Sequence, residues 1–157
     1  MSNTLSPEMF WLAWTVILTA LMVIPYAVYR IGKLGGIWQA FLAPLPGDAP
    51  FDDDWPHRAY RAHMNAFESI ALFAPIVLII EVSGLGNEAT AAASAIYFAA
   101  RLAYAPLYYF SVPIFRTAIW FVGLIATLYL AFYVAMPAFE SESIAGVISQ
   151  MSGGLTG

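Results

Sequence analysis

Arg61, Asn65 and Glu68 stand at i, i+4 and i+7 of an otherwise apolar stretch, so a helix places them on one face. Arg101, Tyr104 and Tyr108 stand at i, i+3 and i+7 of a second such stretch and also share a face. Arg116 and Thr117 open a third. A charge at mid-bilayer costs roughly 2.5–3.5 kcal/mol on insertion scales, so these residues need partners or a water-filled cavity. If the two stripes face each other, Glu68 and Arg101 neutralise one another. Arg61, Asn65, Tyr104, Tyr108 and Arg116 then line a cationic cleft, with Glu68 available to an ammonium group. A small ligand bearing carboxylates and an amine suits such a cleft. A buried Arg–Glu pair can equally serve to lock a bundle, and tyrosines often anchor helices at the membrane interface.

Composition says what kind of element must carry these residues. The chain of 157 residues is 61% apolar and 10% charged, with a mean hydropathy of +0.74. A soluble domain of this size carries about 25% charge. The expectation is therefore an all-α membrane protein, one small domain over 1–157 with no room for a second, soluble one. The absence of cysteine excludes disulfides, thiolate metal sites, iron–sulfur clusters and a cysteine nucleophile. A net charge of −4, with six basic residues, argues against nucleic acid as a partner.

Four spans are expected, at about 8–30, 57–82, 88–110 and 114–137. Residues 9–29 carry no charge, and a helix needs about 20 residues to cross the hydrocarbon core. No basic region precedes this run and no cleavage site follows it, which suits a retained span rather than a signal peptide. Pro25 lies late in it as a possible kink. Residues 117–139 are a second uncharged run, with its end expected at Pro137. Ser83–Asn87 reads as a turn, and Ser111-Val112-Pro113 as a break. Short connections favour antiparallel neighbours. The 31–56 connection is rich in Gly and Pro and reads as a loop, in which Ile37–Leu42 can lie at the membrane interface with Trp38 as its anchor. The tail 140–157 is rich in Ser and Gly and is expected to fray.

Charge placement orients the bundle. Arg30, Lys33, Arg58 and Arg61 flank the first loop, Arg116 follows the third span, and Arg101 lies in the half of its helix leading there. The other side has Glu8, Glu81, Glu88, Glu140 and Glu142 and no Lys or Arg. The positive-inside rule then makes the 31–56 loop cytoplasmic and puts both termini outside. Other candidates are weaker. His57 and His63 are six apart, on different helix faces, and read as solvated or hydrogen-bonded rather than as metal ligands. Asp52-Asp53-Asp54 lacks the rest of a calcium-loop pattern and reads as a solvated loop. No catalytic-triad spacing, P-loop or dinucleotide fingerprint is present. No metal is expected.

The motifs resemble those of a known family. Arg61-Ala62-His63-Met64-Asn65-Ala66-Phe67-Glu68 looks like the R-A-x-x-N-x-x-E signature of the MAPEG proteins, membrane-associated proteins in eicosanoid and glutathione metabolism. Arg101 to Tyr108 is similar to their R-x-x-[YH]-x-x-x-Y motif, and Pro113-Ile114-Phe115-Arg116-Thr117 to their next turn. The P-x-x-R-[ST] turn looks closest to the uncharacterised bacterial branch, which implies a bacterial inner membrane. The resemblance, over roughly residues 8–137, implies a homotrimer of four-helix bundles with glutathione as co-substrate between subunits. By position, Arg61, Asn65, Glu68, Arg101, Tyr104 and Tyr108 would contact glutathione, with Arg30 as a looser match. Arg116 would favour the thiolate and Thr117 would donate to the sulfur, for attack on a lipophilic electrophile. Met64 stands where the prostaglandin synthase branch has arginine, and Tyr104 where it has histidine, which points away from that isomerase chemistry. The implied activity is that of a glutathione transferase or peroxidase. The alternative is a non-catalytic membrane subunit packed in a larger complex. A transporter is disfavoured, since no inverted repeat is present.

Overall fold

The computed structural model describes residues 5–42 and 51–141. They form six helices: α1 (Pro7–Leu21), α2 (Ile24–Lys33), α3 (Ile37–Leu42), α4 (Asp54–Ser83), α5 (Glu88–Tyr109) and α6 (Pro113–Ser141). No strand occurs among the described residues. Three segments are long and apolar enough to cross a membrane: Pro7–Lys33, Asp54–Ser83 and Pro113–Met136. The tail from residue 142, and residues 43–50 of the first connection, lie outside the described residues.

Local chemistry explains where the helices start and stop. The Ser6 hydroxyl accepts from the Met9 N–H at 3.2 Å and Pro7 opens α1, both ordinary helix starts. Pro25 has no N–H to give the Leu21 carbonyl, and α1 ends at Leu21. The chain resumes as α2, so the first spanning segment is broken a little past half-way along. At the far end of α4, Gly84 takes the left-handed conformation (φ 65°) and the Leu85 N–H closes the turn on the Ile80 carbonyl at 3.0 Å. Asn87 and Thr90 then form a capping box for α5. Pro137 does not end α6, which runs on to Ser141; a proline inside a helix removes one hydrogen bond and can kink the helix without stopping it.

The burial pattern is that of a membrane protein. In α1 the inward stripe is Glu8, Leu12, Thr15 and Thr19, whereas Phe10, Trp14, Ile17 and Leu21 are exposed. Thr15 and Thr19 satisfy themselves on the carbonyls of Trp11 and Thr15, at 2.8 and 2.9 Å. Apolar side chains pointing outward cost nothing when the solvent is lipid. α5 packs on α1, α4 and α6 through a buried side that includes Ala93, Ser94, Ala100 and Ala105, while Ile96 and Leu102 are exposed. Small side chains there let the neighbouring helices approach closely. Half-way along, the Phe73 and Tyr97 rings stack with centroids 3.8 Å apart.

Two residues of the solvated acidic triplet also meet a cation. Lys33 Nζ lies 3.7 Å from carboxylate oxygens of both Asp52 and Asp53. The Tyr29 hydroxyl donates to Asp53 at 2.7 Å. The start of α4 is thereby tied to the end of α2. Arg58 Nε donates to the Tyr109 carbonyl at 3.0 Å, which ties the start of α4 to the end of α5.

Candidate functional site

α4 and α5 each contribute one polar stripe, and the structure brings most of both stripes together. Arg61, Asn65, Glu68, Tyr104 and Tyr108 line a cavity of about 320 Å³, joined by His57, Tyr60 and Met64. Asn65 and Glu68 also border a second cavity of about 220 Å³, where Arg101, Tyr97, Trp120 and Thr127 lie. The two compartments thus share one wall. The α4 stripe opens outward, with Arg61 and Glu68 exposed. The α5 stripe closes inward, with Arg101 at 3% and Tyr104 at 5% exposure.

The expected Glu68–Arg101 ion pair is not made: no salt bridge joins them. The guanidinium turns instead toward Asn65, with Nη1 3.3 Å from its Oδ1, and toward the Trp120 carbonyl, 3.4 Å from Nη2. Its carbon lies 5.2 Å from the centroid of Tyr97 and 5.6 Å from that of Tyr104. Aromatic rings accept a cation without a counter-charge, and this leaves the Glu68 carboxylate free at the cavity wall. Arg101 Nε is buried without a partner. Gly123 makes room for the guanidinium, since a β-carbon there would collide with Nη2. A lone glycine inside an apolar helix is the sequence signal that could have found this contact. Tyr97 and Trp120 carried no comparable signal, because aromatic residues are common on every face of these helices.

The remaining expected residues are placed as follows. The Arg116 guanidinium stacks on Tyr108, 4.5 Å from its centroid, and Tyr108 lies 5.5 Å from Tyr104 ring to ring. Arg116 is therefore one ring removed from the polar cavity. The Thr117 hydroxyl donates to the Pro113 carbonyl of its own helix at 2.9 Å and is exposed. Arg30 stacks on Phe51 at 4.7 Å and does not line the polar cavity. His63 is hydrogen-bonded, 2.8 Å from the Tyr26 hydroxyl, while His57 borders the polar cavity beyond what its sequence position suggested.

A polar compartment beside a largely apolar one, edged by Arg61-x-x-x-Asn65-x-x-Glu68 within a membrane bundle, is what the site presents. The MAPEG family model matches residues 9–136. The chain belongs to the MAPEG family, which includes glutathione transferases and peroxidases as well as non-catalytic members. No individual curated protein matches the chain.

Proposed function

We propose that this protein is an integral membrane glutathione-dependent transferase or peroxidase that activates the glutathione thiolate for attack on lipophilic electrophiles. The observation that carries this reading is the gathering of Arg61, Asn65, Glu68, Tyr104 and Tyr108 around one cavity of about 320 Å³. Glutathione offers two carboxylates and an ammonium group. Arg61 and Arg101 suit the carboxylates, Glu68 suits the ammonium group, and Asn65 and the tyrosine hydroxyls suit the amides. Arg116 supplies positive charge beyond Tyr108, where it favours thiolate over thiol. Bringing the thiolate and a membrane-dissolved electrophile together in fixed geometry supplies much of the rate.

On this reading α5 is the fourth span. Its Arg101 and Glu88 lower its apolarity, and the exposed Ile96 and Leu102 give it an apolar outer face. The chain is a homotrimer: Arg61 and Glu68 are exposed on a spanning helix, and a neighbouring subunit would cover them from lipid. All six basic residues lie at one end of the bundle or lead to it, and Glu8, Glu81 and Glu88 at the other. That asymmetry supports a cytoplasmic 31–56 loop and outward termini, in a bacterial inner membrane.

The test is a glutathione titration of the purified protein, following thiolate absorbance in the ultraviolet. A band that appears in the parent and disappears in Arg116→Ala is expected. An intact protein with no glutathione affinity would overturn the proposal. One observation favours the second reading, a non-catalytic subunit: the Thr117 hydroxyl is committed to the Pro113 carbonyl rather than aimed at a sulfur. That reading predicts no thiolate band, indifference to Arg116→Ala, and co-purification with a partner from mild detergent.

A further inference from the structure

The short helix α3 leaves its apolar face uncovered. Ile37, Trp38, Phe41 and Leu42 fall within an arc of about 140° at helical spacing. They are 57%, 73%, 76% and 81% exposed. The opposite face carries Gln39 and the half-buried Ala40, and α2 is the helix that α3 packs against. Four large apolar side chains on a six-residue helix are not there to build this bundle's core.

The backbone explains where α3 goes. α2 ends at Lys33, and Gly35 and Gly36 follow with φ of 85° and 136°. The Gly36 N–H donates back to the Ile31 carbonyl at 3.0 Å. These conformations are open to glycine and strained for other residues. They turn the chain off the α2 axis within three residues of the end of a membrane-spanning segment. A helix that simply continued would carry its apolar residues away from the bilayer.

We propose that α3 is an in-plane membrane anchor, inserting Ile37, Trp38, Phe41 and Leu42 among the acyl chains of the leaflet at the basic end of the bundle. Its continuity with the first spanning segment puts it at the headgroup boundary, where tryptophan is favoured. The insertion runs on apolar area rather than on charge. α3 itself carries no charged residue. The nearest cations are engaged within the protein, Lys33 by Asp52 and Asp53 and Arg30 over Phe51. The anchor is therefore indifferent to anionic lipid, unlike a basic amphipathic helix. It is independent of the glutathione reading.

The chain has no cysteine, so a single introduced thiol labels one site. Trp38→Cys, Phe41→Cys and Gln39→Cys, each bearing an environment-sensitive fluorophore, are placed in lipid nanodiscs. The discs hold neutral phosphatidylcholine alone or mixed with phosphatidylglycerol. Nitroxide carried on the acyl chains should quench most of the emission at 38 and 41 and little at 39, equally in both discs and at high salt. Quenching at 38 and 41 by a water-borne nitroxide would overturn the proposal. So would shielding from both quenchers, the mark of a protein partner or second copy, or insertion that needs phosphatidylglycerol. Helix content by circular dichroism identifies any variant that misfolds, and positions 38 and 41 each test the claim alone.

Discussion

The two ends of this bundle differ in how the polar side chains between their helices are matched. At the acidic end the Ser6 hydroxyl donates to Glu81 at 2.5 Å and Thr90 donates to the buried Glu8. Asn87 Nδ2 donates to the Tyr133 hydroxyl at 2.7 Å, and the Tyr133 hydroxyl in turn donates to the Leu85 carbonyl at 3.2 Å. Those bonds join α1, α4, α5 and α6 and consume the groups that make them. At the basic end Arg101 is buried with an orphaned Nε. Arg61 and Glu68 make no hydrogen bond or ion pair among the described residues, although they face one cavity. Leaving polar groups unmatched in a low-dielectric setting costs stability. On the proposed function, the unmatched groups of the α4 and α5 stripes are the ones a ligand would take up.

The largest expected effect separates the two ends most sharply. Arg101→Met removes a buried charge with an unpaired donor, so stability should stay level or rise by up to about 1 kcal/mol. Glutathione affinity should fall at least about tenfold, or about 1.4 kcal/mol. Thermal unfolding by tryptophan fluorescence, beside calorimetric titration, reads both. A protein that loses both stability and binding would make Arg101 a structural lock. Glu8→Ala is the mirror image. It removes a buried hydrogen bond to a carboxylate, while the Thr90 hydroxyl keeps the Asn87 carbonyl as acceptor at 2.9 Å, and should cost about 1.5–3 kcal/mol of stability. Glutathione affinity should not move. A change in affinity there would dissolve the distinction between the ends.

Much of this arrangement was legible in the sequence, and the part that was not has a common cause. Uncharged runs, Pro25 and the Ser83–Asn87 turn carry local physics, and the helices break at Pro25 and turn at Gly84 accordingly. Helical spacing placed Arg61, Asn65 and Glu68 on one face, and they do share a cavity wall. What spacing cannot say is how a long side chain turns once two helices meet. Arg101 was expected on Glu68 and lies on Asn65, the Trp120 carbonyl and two tyrosine rings. The acidic triplet is solvated as its composition suggests, and spacing did not show that Lys33, 19 residues from Asp52 in the chain, also pairs with it. Both are contacts between elements, where rotamer and crossing geometry decide.

A smaller effect tests how local the acidic end's satisfaction is. The Asn87 side chain accepts from the N–H groups of Ala89 and Thr90, at 2.8 and 3.0 Å, and also donates to Tyr133. Asn87→Ala should cost about 1–2 kcal/mol, near the upper range for a lost helix cap because the Tyr133 bond goes with it. Asn87→Asp keeps the cap and loses the donor, so it should recover most of the loss. Thermal unfolding of the pair checks this. Equal losses in both would mean that the bond across to α6 outweighs the cap.

The smallest effect contrasts the two turns themselves. The acidic end turns on Gly84 at φ 65°, and the basic end on Ser111 at φ 58°. The conformations are nearly the same, but serine carries a β-carbon into it. A non-glycine residue held there costs about 1–3 kcal/mol. Ser111→Gly relieves that strain but gives the unfolded chain more freedom, worth about 0.4–1 kcal/mol in the other direction. The balance should be a gain of about 1 kcal/mol, seen as a higher unfolding temperature. Gly84→Ser should lose a similar amount. The comparison sharpens if the relaxed Ser111→Gly turn also weakens glutathione binding. Arg116 follows five residues after Ser111, and its place over Tyr108 depends on how α6 departs from that turn. If binding is unchanged, the strain at Ser111 is a cost of the turn alone, and the basic end's readiness rests wholly on its unmatched side chains.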